Sequence, residues 1–282
     1  MMRHRKLFTW LIGILLGCLC VGGVILLDDM TVSLEKLDYY SEDLPHPFFG
    51  YRMLCISDFH DAFYADQIVE MVKKEKPDVV LFLGDMTELS HGANQPNILN
   101  LLDHIAGDVP IYGVLGNHEV WSKDVQGLES QLTQHGMQLL NHQKAVLTKD
   151  GASIDLIGVR DVTDPDGSFK DSWLLGQMRV YLENVIDETR FTLVACHRAN
   201  LYPYLNDLKA ELMLSGHIHG GVVRIPRIGG LFDIDGSLLP EFDKGLYKQG
   251  DMTLYVDSGT DFRISKLRIC NGPSVTLLTL KN

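Results

Sequence analysis

Five short segments of the sequence combine aspartate, asparagine and histidine residues in patterns suited to binding metal ions. In chain order they are Asp58-Phe59-His60, Gly84-Asp85, Gly116-Asn117-His118-Glu119, His197 and Gly216-His217-Ile218-His219. Their carboxylate, amide and imidazole groups suit Mn²⁺, Fe or Zn²⁺ better than a cysteine-rich structural zinc site or an all-oxygen calcium site. These donors are too many for one ion. Two divalent ions about 3.5–4 Å apart would use them all and could activate a bridging hydroxide.

Each segment directly follows an apolar run that predicts a β-strand. The runs are Met53–Ser57, Asp78–Leu83, Pro110–Leu115, Phe191–Cys196 and Glu211–Ser215. In open α/β sheets, ligands bind beyond the carboxyl ends of the strands. We therefore expect the five segments to form one site at the strand ends.

Helices and further strands must position these strand ends. Helical periodicity predicts helices over Gln67–Lys76 and Asn97–Ile105, and the resulting βαβαβ order indicates an α/β fold with a largely parallel central sheet. Lys144–Val159 is typical of a hairpin, and a helix is predicted near Gln177–Ile186. Further short strands are predicted around Met252–Val256, Lys266–Cys270 and Val275–Leu280. No repeat or low-complexity linker divides residues 51–282, so a single domain is the simpler interpretation.

The ordered series of motifs resembles the calcineurin-like metallophosphoesterase superfamily from about Met53 to His219. The segments Gly216–Pro226 (GHIHGGVVRIP) and Leu254–Gly259 (LYVDSG) are similar to a bacterial branch of membrane-associated or exported members. The resemblance implies a fold of the α/β (α+β) class, a four-layer αββα sandwich with two sheets packed face to face and helices outside. It also implies a dinuclear metal site at one rim.

The same resemblance implies roles for individual residues. One ion would be bound by Asp58, His60 and His219, the other by Asn117, His197 and His217, and Asp85 would bridge them. His118 matches a family histidine that is not a ligand, and would steady or protonate the leaving oxygen while a bridging hydroxide attacks phosphorus in line. Glu119 is expected to orient its neighbours.

The sequence departs from the Ser/Thr protein phosphatases of the superfamily after Gly84-Asp85. Those proteins continue into Asp-Arg-Gly, whereas Met86-Thr87-Glu88-Leu89 follows here. A phosphoprotein substrate is therefore not expected.

The N-terminal segment predicts a membrane anchor. Arg3, His4, Arg5 and Lys6 precede an uncharged run from Phe8 to Leu27. Roughly 20 apolar residues are needed to cross a bilayer, and preceding basic residues favour a cytoplasmic N-terminus. We therefore expect a basic cytoplasmic tip (1–6), one transmembrane helix (7–27), a lead-in with at most an edge strand (28–50) and an extracytoplasmic phosphoesterase domain (51–282). A cleaved or lipidated N-terminus and a buried soluble helix are the alternatives.

The overall charge excludes some classes of partner. Acidic residues outnumber basic ones by 37 to 25, and omitting Arg3, Arg5 and Lys6 would take the formal net charge from −12 to −15. So acidic a body has no broad basic field for a phosphate polymer, which argues against general DNA or RNA binding. The five cysteines include no CxxC pair, so no disulfide framework is predicted.

Several residues close to the motifs have two interpretations. Arg198 and Arg224 could contact a substrate phosphate or simply pair within the fold. Asp161 and Asp164 could reach the site, although turn formation is the simpler role. Residues 228–250 are glycine-rich and are expected to cover the site or touch lipid, with a decorated hairpin as the alternative. The remaining histidines, His4, His46, His91, His104, His135 and His142, are expected on surfaces or loops, with His91 a minor lid candidate.

Together these patterns indicate a membrane-anchored, binuclear-metal phosphoesterase. The expected substrate is a phosphodiester or pyrophosphate of an envelope lipid, a lipid-linked sugar nucleotide or a wall polymer; no protein partner is indicated. A non-catalytic metal-dependent binding module is one alternative, although no ligand position is missing. A nucleotide or nucleic-acid phosphodiesterase facing the cytoplasm is another, and the acidic body and basic N-terminal tip count against it.

Overall fold

The computed structural model describes residues 30–162, 172–234, 236–261 and 268–282. The strands are β1 (Ser33–Tyr40), β2 (Arg52–Ile56), β3 (Val79–Phe82), β4 (Ile111–Gly113), β5 (Gln138–Leu139), β6 (Gln143–Lys149), β7 (Ala152–Val159), β8 (Thr192–Arg198), β9 (Leu212–Gly216), β10 (Arg224–Ile225), β11 (Gly229–Gly230), β12 (Gly245–Lys248), β13 (Thr253–Val256) and β14 (Ser274–Lys281). The helices are α1 (Ala65–Glu75), α2 (Pro96–Ile105), α3 (Asn117–Val120), α4 (Val125–Gln134), α5 (Ser172–Val185) and α6 (Tyr202–Leu205), with 3₁₀ turns at His46–Phe48, Leu89–His91, Ala199–Leu201 and His219–Gly221.

Two six-stranded sheets form the centre of the described structure. The first has the order β1-β14-β2-β3-β4-β5, in which β2 to β5 are parallel and β14 is antiparallel to β2. The second has the order β12-β13-β9-β8-β7-β6, with a parallel centre and an antiparallel strand at each edge. The sequence pattern alone predicted one central sheet, which is wrong; the two-sheet arrangement implied by the resemblance is found.

Alternation of side chains along the strands builds the layers. In β2, Leu54 and Ile56 pack with the helices of the first sheet, whereas Met53 and Cys55 face the second sheet. This is the period of two expected when both faces of a strand are buried. A third apolar cluster, which includes Met178 of α5, covers the outer face of the second sheet. The result is the helix, sheet, sheet, helix order of a four-layer sandwich.

Most predicted elements are present, with ends shifted by a few residues. The lead-in supplies β1 at the edge of the first sheet, and the hairpin predicted over Lys144–Val159 is β6 and β7. Of the strand predicted over Lys266–Cys270, residues 268–270 are described, and there Ile269 forms an isolated bridge with Val223 in place of a strand. The long insertion contains β11 and the edge strand β12.

The predicted membrane anchor, residues 7–27, and Asp164 lie outside the described residues. Within the part of the chain that the structure describes, none of the helices combines the length and apolarity needed to span a bilayer.

Candidate metal centre

The five predicted ligand segments meet at one rim of the sandwich. The first sheet contributes Asp58 and His60 after β2, Asp85 after β3 and Asn117 at the start of α3, which follows β4. The second sheet contributes His197 near the end of β8, and His217 and His219 after β9. The site is therefore assembled from both sheets, and it exists only when the two sheets are packed together.

The side chains form two neighbouring groups of donor atoms. Asp58, His60 and His219 offer atoms within 4.8 Å of one another, and so do Asp85, His197 and His217. Asp85 Oδ2 lies 3.4 Å from His197 Nε2 and 3.8 Å from His60 Nε2. Asp85 thus reaches both groups, as a bridging carboxylate must.

Several donor atoms in this centre are buried without a hydrogen-bond partner. They are both ring nitrogens of His60, Nε2 of His197 and Oδ1 of Asn117. Burying unpaired polar atoms costs free energy, so native proteins rarely leave a cluster of them. Cations would satisfy these atoms, and the donor set of carboxylates, imidazoles and one amide fits two divalent ions of the Mn²⁺, Fe or Zn²⁺ type.

The backbone at the centre is held in an uncommon conformation. Positive φ angles between 47° and 73° occur at five of the seven predicted ligands: Asp58, His60, Asp85, His217 and His219. Residues other than glycine rarely adopt this left-handed backbone conformation, and residues strained in this way are found most often at functional sites. Hydrogen bonds from the Asp58 and His60 amides to the Gly84 and Asp85 carbonyls hold two of the loops together.

Histidine orientation is fixed by hydrogen bonds behind the ligands. Nδ1 of His197 lies 2.7 Å from the carbonyl oxygen of Leu83, so it donates there and leaves Nε2 facing Asp85. Nη1 of Arg198 lies 2.7 Å from His217 Nε2 and donates to it, so Arg198 fixes the orientation of the His217 ring. Bonds of this kind set the tautomer and angle of metal-binding histidines.

His118 lies outside these two groups and forms a third group of candidate donors with His60 and Glu88. Its ring centroid is 4.3 Å from that of His60, and its Nε2 is 4.0 Å from Asp85 Oδ2. The backbone N–H of Leu89 donates to His118 Nδ1 over 3.2 Å. A neutral His118 therefore carries its proton on Nε2, on the side of Asp85.

Glu119 ties the loop after β3 to the loop after β4. Its carboxylate accepts hydrogen bonds from the backbone N–H groups of Asp85, Thr87 and Gly116, and from the Thr87 hydroxyl. Burial, and then the charge of Asp85, raise the pKa of Glu119 to about 7. These contacts orient the neighbours of Glu119, as the sequence predicted.

Charges within the centre are strongly coupled. Burial alone would raise the pKa of Asp85, but His197 and other nearby histidines hold it well below its usual range, and His219 and His197 lower the pKa of Asp58 in the same way. Burial would lower the pKa of His197, yet Asp85 and Asp58 raise it to about 10. Burial lowers the pKa of His60 to about 4. The lowered pKa values keep the Asp85 and Asp58 carboxylates ionised, which is the form that binds cations.

Arg198 and Asp161 form a buried network next to the site. Arg198 Nε donates to Asp161 Oδ2 over 2.7 Å, and the guanidinium lies 5.9 Å from the Trp121 ring centroid. Arg198 is 1% exposed and Asp161 is 4% exposed. Arg198 therefore positions His217 rather than gripping substrate, and Asp161 is an ion-pair partner rather than a turn residue. Arg224 pairs with Asp243 over 2.9 Å.

Sequence reasoning missed several residues that support the centre. Glu88 lies 3.8 Å from His60 and 3.9 Å from His118, and Asp261 lies 3.5 Å from His219. Asp257 accepts hydrogen bonds from Ser57, beside Asp58. Asp257 lies in the LYVDSG motif, Leu254–Gly259, so the motif could have identified it as a supporting residue. The other described histidines contact groups outside the centre, namely His46, His91, His104, His135 and His142.

The family model for the calcineurin-like phosphoesterase domain matches residues 51–221, which is more than half of the chain. The chain therefore belongs to the calcineurin-like phosphoesterase family. The match covers all seven predicted metal ligands together with His118.

Similar proteins come from several organisms. The chain is 25% identical to the uncharacterized metallophosphoesterase YkuE of Bacillus subtilis, over 100% of this chain and 98% of that protein. It is 25% identical to the phosphodiesterase YaeI of Escherichia coli, over 82% of each. A transmembrane protein with metallophosphoesterase domain from Danio rerio is 26% identical, over 90% of this chain and 56% of that protein. Among solved structures, the Thermus thermophilus sulfate thiohydrolase SoxB has a similar fold (TM-score 0.50, 14% identity), over 84% of this chain and 57% of that one.

Proposed function

We propose that this protein is a binuclear-metal phosphodiesterase that acts on a phosphodiester or pyrophosphate at the cell envelope. The observation that carries the proposal is the meeting of seven candidate ligands from both sheets around buried donor atoms that have no hydrogen-bond partner. Envelope lipids, lipid-linked sugar nucleotides and wall polymers are the substrate classes proposed.

The donor groups divide between two ions. Asp58, His60 and His219 would bind one, and Asn117, His197 and His217 the other, with Asp85 shared. When bound, the ions would supply an activated hydroxide and neutralise charge on the phosphate oxygens.

Residues of the chain itself would prepare the leaving group. His118 presents Nε2–H toward the centre because Leu89 occupies Nδ1. This N–H can hydrogen-bond to the leaving oxygen and transfer its proton as the ester bond breaks. Glu119 holds Gly116 and the amide of Asp85, and so fixes the distance between His118 and the bridging carboxylate.

A diester is preferred over a monoester because the relative YaeI is described as a phosphodiesterase. Membrane attachment is proposed from the uncharged run Phe8 to Leu27, with the N-terminus in the cytoplasm and the phosphoesterase domain outside it. The description of the Danio rerio relative as a transmembrane protein supports this part of the proposal.

The test compares hydrolysis of an aryl phosphodiester with that of the matching phosphomonoester. The full chain is assayed in detergent with Mn²⁺, with chelator, and as the Asp85→Asn and His217→Ala variants. His135→Ala is the matched control because His135 pairs with Asp103 at the surface. Diester turnover should require metal, Asp85 and His217, and the control should keep it. Full activity in Asp85→Asn, with metal content unchanged, would refute the proposal. Two bound metals without turnover would instead favour the binding module.

A further inference from the structure

Large apolar side chains are exposed on a small sheet just beyond His219. The strands β10 and β11 pair with each other, and Ile269 bridges to Val223 on the outer side of β10. On the other side, the amide of Leu239 donates to the Leu231 carbonyl. Four chain segments thus lie side by side.

We name five exposed residues of this small sheet the apolar ridge. They are Ile225 (37% exposed), Ile228 (67%), Phe232 (44%), Leu238 (63%) and Leu239 (55%). The tip of the hairpin also exposes Arg227. Large apolar side chains exposed on neighbouring paired segments indicate an interaction site, and isoleucine, leucine and phenylalanine suit the apolar side of a bilayer interface.

The small sheet is joined tightly to the metal centre. Gly221 follows His219 by two residues, and a Cβ on it would lie 2.4 Å from Gly230 Cα in β11. The side chains of Asn271 and Arg268 both donate to the carbonyl oxygen of His219. The apolar ridge is therefore part of the rim that carries the metal ligands, and its orientation follows theirs.

The chain enters the first sheet at this same rim. Ser33 pairs with Ser274, whose amide donates to the carbonyl of Gly259, and Gly259 lies against Asp58. Lys244, from the segment that follows the small sheet, forms an ion pair with Glu35 of β1. The N-terminal end of β1, the apolar ridge and the metal centre thus share one end of the sandwich.

The distance from the proposed anchor is short. Only residues 28–32 separate Leu27 from Ser33, and five extended residues span at most about 17 Å. An anchor ending at Leu27 would hold the rim at the membrane surface. Insertion of the apolar ridge would then be an intramolecular step, which weak apolar contacts are sufficient to drive. Tyr40, at the other end of β1, would lie roughly 23 Å farther away.

From this arrangement we propose that the apolar ridge inserts into the surface of a phospholipid bilayer and turns the metal centre toward the membrane. The inference rests on the membrane attachment in the proposed function, and it narrows the substrate to a phosphate ester presented at the lipid surface. A soluble substrate would have to enter between the rim and the bilayer.

The test measures fluorescence quenching by doxyl-labelled lipids. The full chain, with Cys18, Cys20 and Cys270 changed to Ser, is reconstituted in phosphatidylcholine–phosphatidylglycerol vesicles, and a fluorophore is attached at Leu238→Cys or, as control, Tyr40→Cys. The remaining Cys55 and Cys196 are buried. Quenching at position 238 should exceed that at position 40 several-fold. Equal quenching at the two positions, no quenching in chains that float with vesicles, or failure to float would each overturn the proposal.

A second variant separates bilayer docking from catalysis. Ile228→Asp with Leu239→Asp should abolish quenching at position 238 on vesicles while leaving hydrolysis of a soluble aryl phosphodiester, assayed in detergent, unchanged. If the fluorophore at position 238 contacts a second copy of the protein and is not quenched by the labelled lipids, docking on a bilayer is wrong. Quenching without metal-dependent turnover would refute the proposed reaction but support the docking surface. Metal-dependent turnover without quenching would support the reaction and refute the docking surface.

Discussion

The backbone N–H of Leu89 determines which nitrogen of His118 holds a proton. Because that N–H donates to Nδ1, the proton of the neutral ring sits on Nε2, 4.0 Å from Asp85 Oδ2. His118 lies outside the two groups formed by the seven candidate ligands, although it forms a third candidate group with His60 and Glu88. Metal content therefore distinguishes a leaving-group acid from a ligand.

We predict that His118→Ala keeps two metals per chain and lowers kcat on an aryl phosphodiester by about 10²- to 10⁴-fold, the usual contribution of a general acid. Metal content by mass spectrometry and steady-state kinetics check this. His91→Ala is the control, because His91 lies on the loop of Leu89, the hydrogen-bond partner of His118, and contacts Asp61. A variant that loses metal together with activity would instead make His118 a ligand.

The buried His197 gives the metal-free chain a defined pH dependence. Asp85 and Asp58 raise the pKa of His197 in the folded chain to about 10, above the 6.5 of an unfolded histidine. A raised histidine pKa adds stability that is complete below pH 6.5 and is lost as pH rises toward 10. The free energy of unfolding should therefore differ most between wild type and His197→Gln near pH 6. Urea unfolding with chelator at pH 6, 8 and 9.5 should show this difference shrinking; a constant or growing difference would contradict it.

Residue type and spacing were sufficient to predict that the seven candidate ligands and His118 lie together at one rim, because each follows an apolar strand in the sequence. Their roles as ligands and as leaving-group acid stay predictions. Arg198 and Asp161 could not be assigned in the same way. Their ion pair joins the ends of β7 and β8, and its burial depends on Trp121 from another loop. Contacts between segments far apart in sequence leave no local pattern.

Glycines shape the loops that follow the strands. Gly84 has φ +93°, and a Cβ there would lie 2.5 Å from His197 Nδ1 and 2.9 Å from the Gly116 amide nitrogen. The close approach lets His197 reach the Leu83 carbonyl from the other sheet. A side chain at Gly84 would force the two sheets apart at the site.

Gly84→Ala should therefore destabilise the chain more than the positive φ alone explains. Gly50→Ala is the matched control, because Gly50 has φ +81° and a Cβ there would meet nothing within 4 Å. We expect about 1 kcal/mol for the control and roughly 2–3 kcal/mol more for Gly84→Ala, from strain and overpacking. Urea unfolding of the metal-free variants measures both. Equal losses would show that the contact with His197 does not matter.

Strands and helices were predictable where apolar runs end at a glycine or a charged residue, as in β2 and β3. The pairing of strands was not. β1 lies parallel to β14, although more than 200 residues separate Ser33 from Ser274. An alternation of strands and helices does not tell which of two sheets each strand joins. The pattern alone therefore predicted one sheet where the structure has two.

The candidate metal centre joins the two sheets of the described structure. Asp58, Asp85 and Asn117 come from the first sheet, and His197, His217 and His219 from the second. Ions bound across this boundary would hold the rim closed. Ligands that bind only the folded chain stabilise it, by about 2.7 kcal/mol at a hundred times Kd.

Removal of metal should therefore loosen one end of the molecule more than the other. With chelator, we expect a lower Tm and faster amide hydrogen exchange in the loops at 57–61, 84–88 and 216–221, because their backbones carry strained ligands. The far ends of the same sheets, at Arg52 and Met53 in β2, should stay protected, since those residues pair with β14 away from the rim. Exchange measured by mass spectrometry with Mn²⁺ and with chelator tests this. If exchange becomes faster to the same degree along β2 and its loop, the metals stabilise the whole fold and do not act mainly by joining the two sheets at the rim.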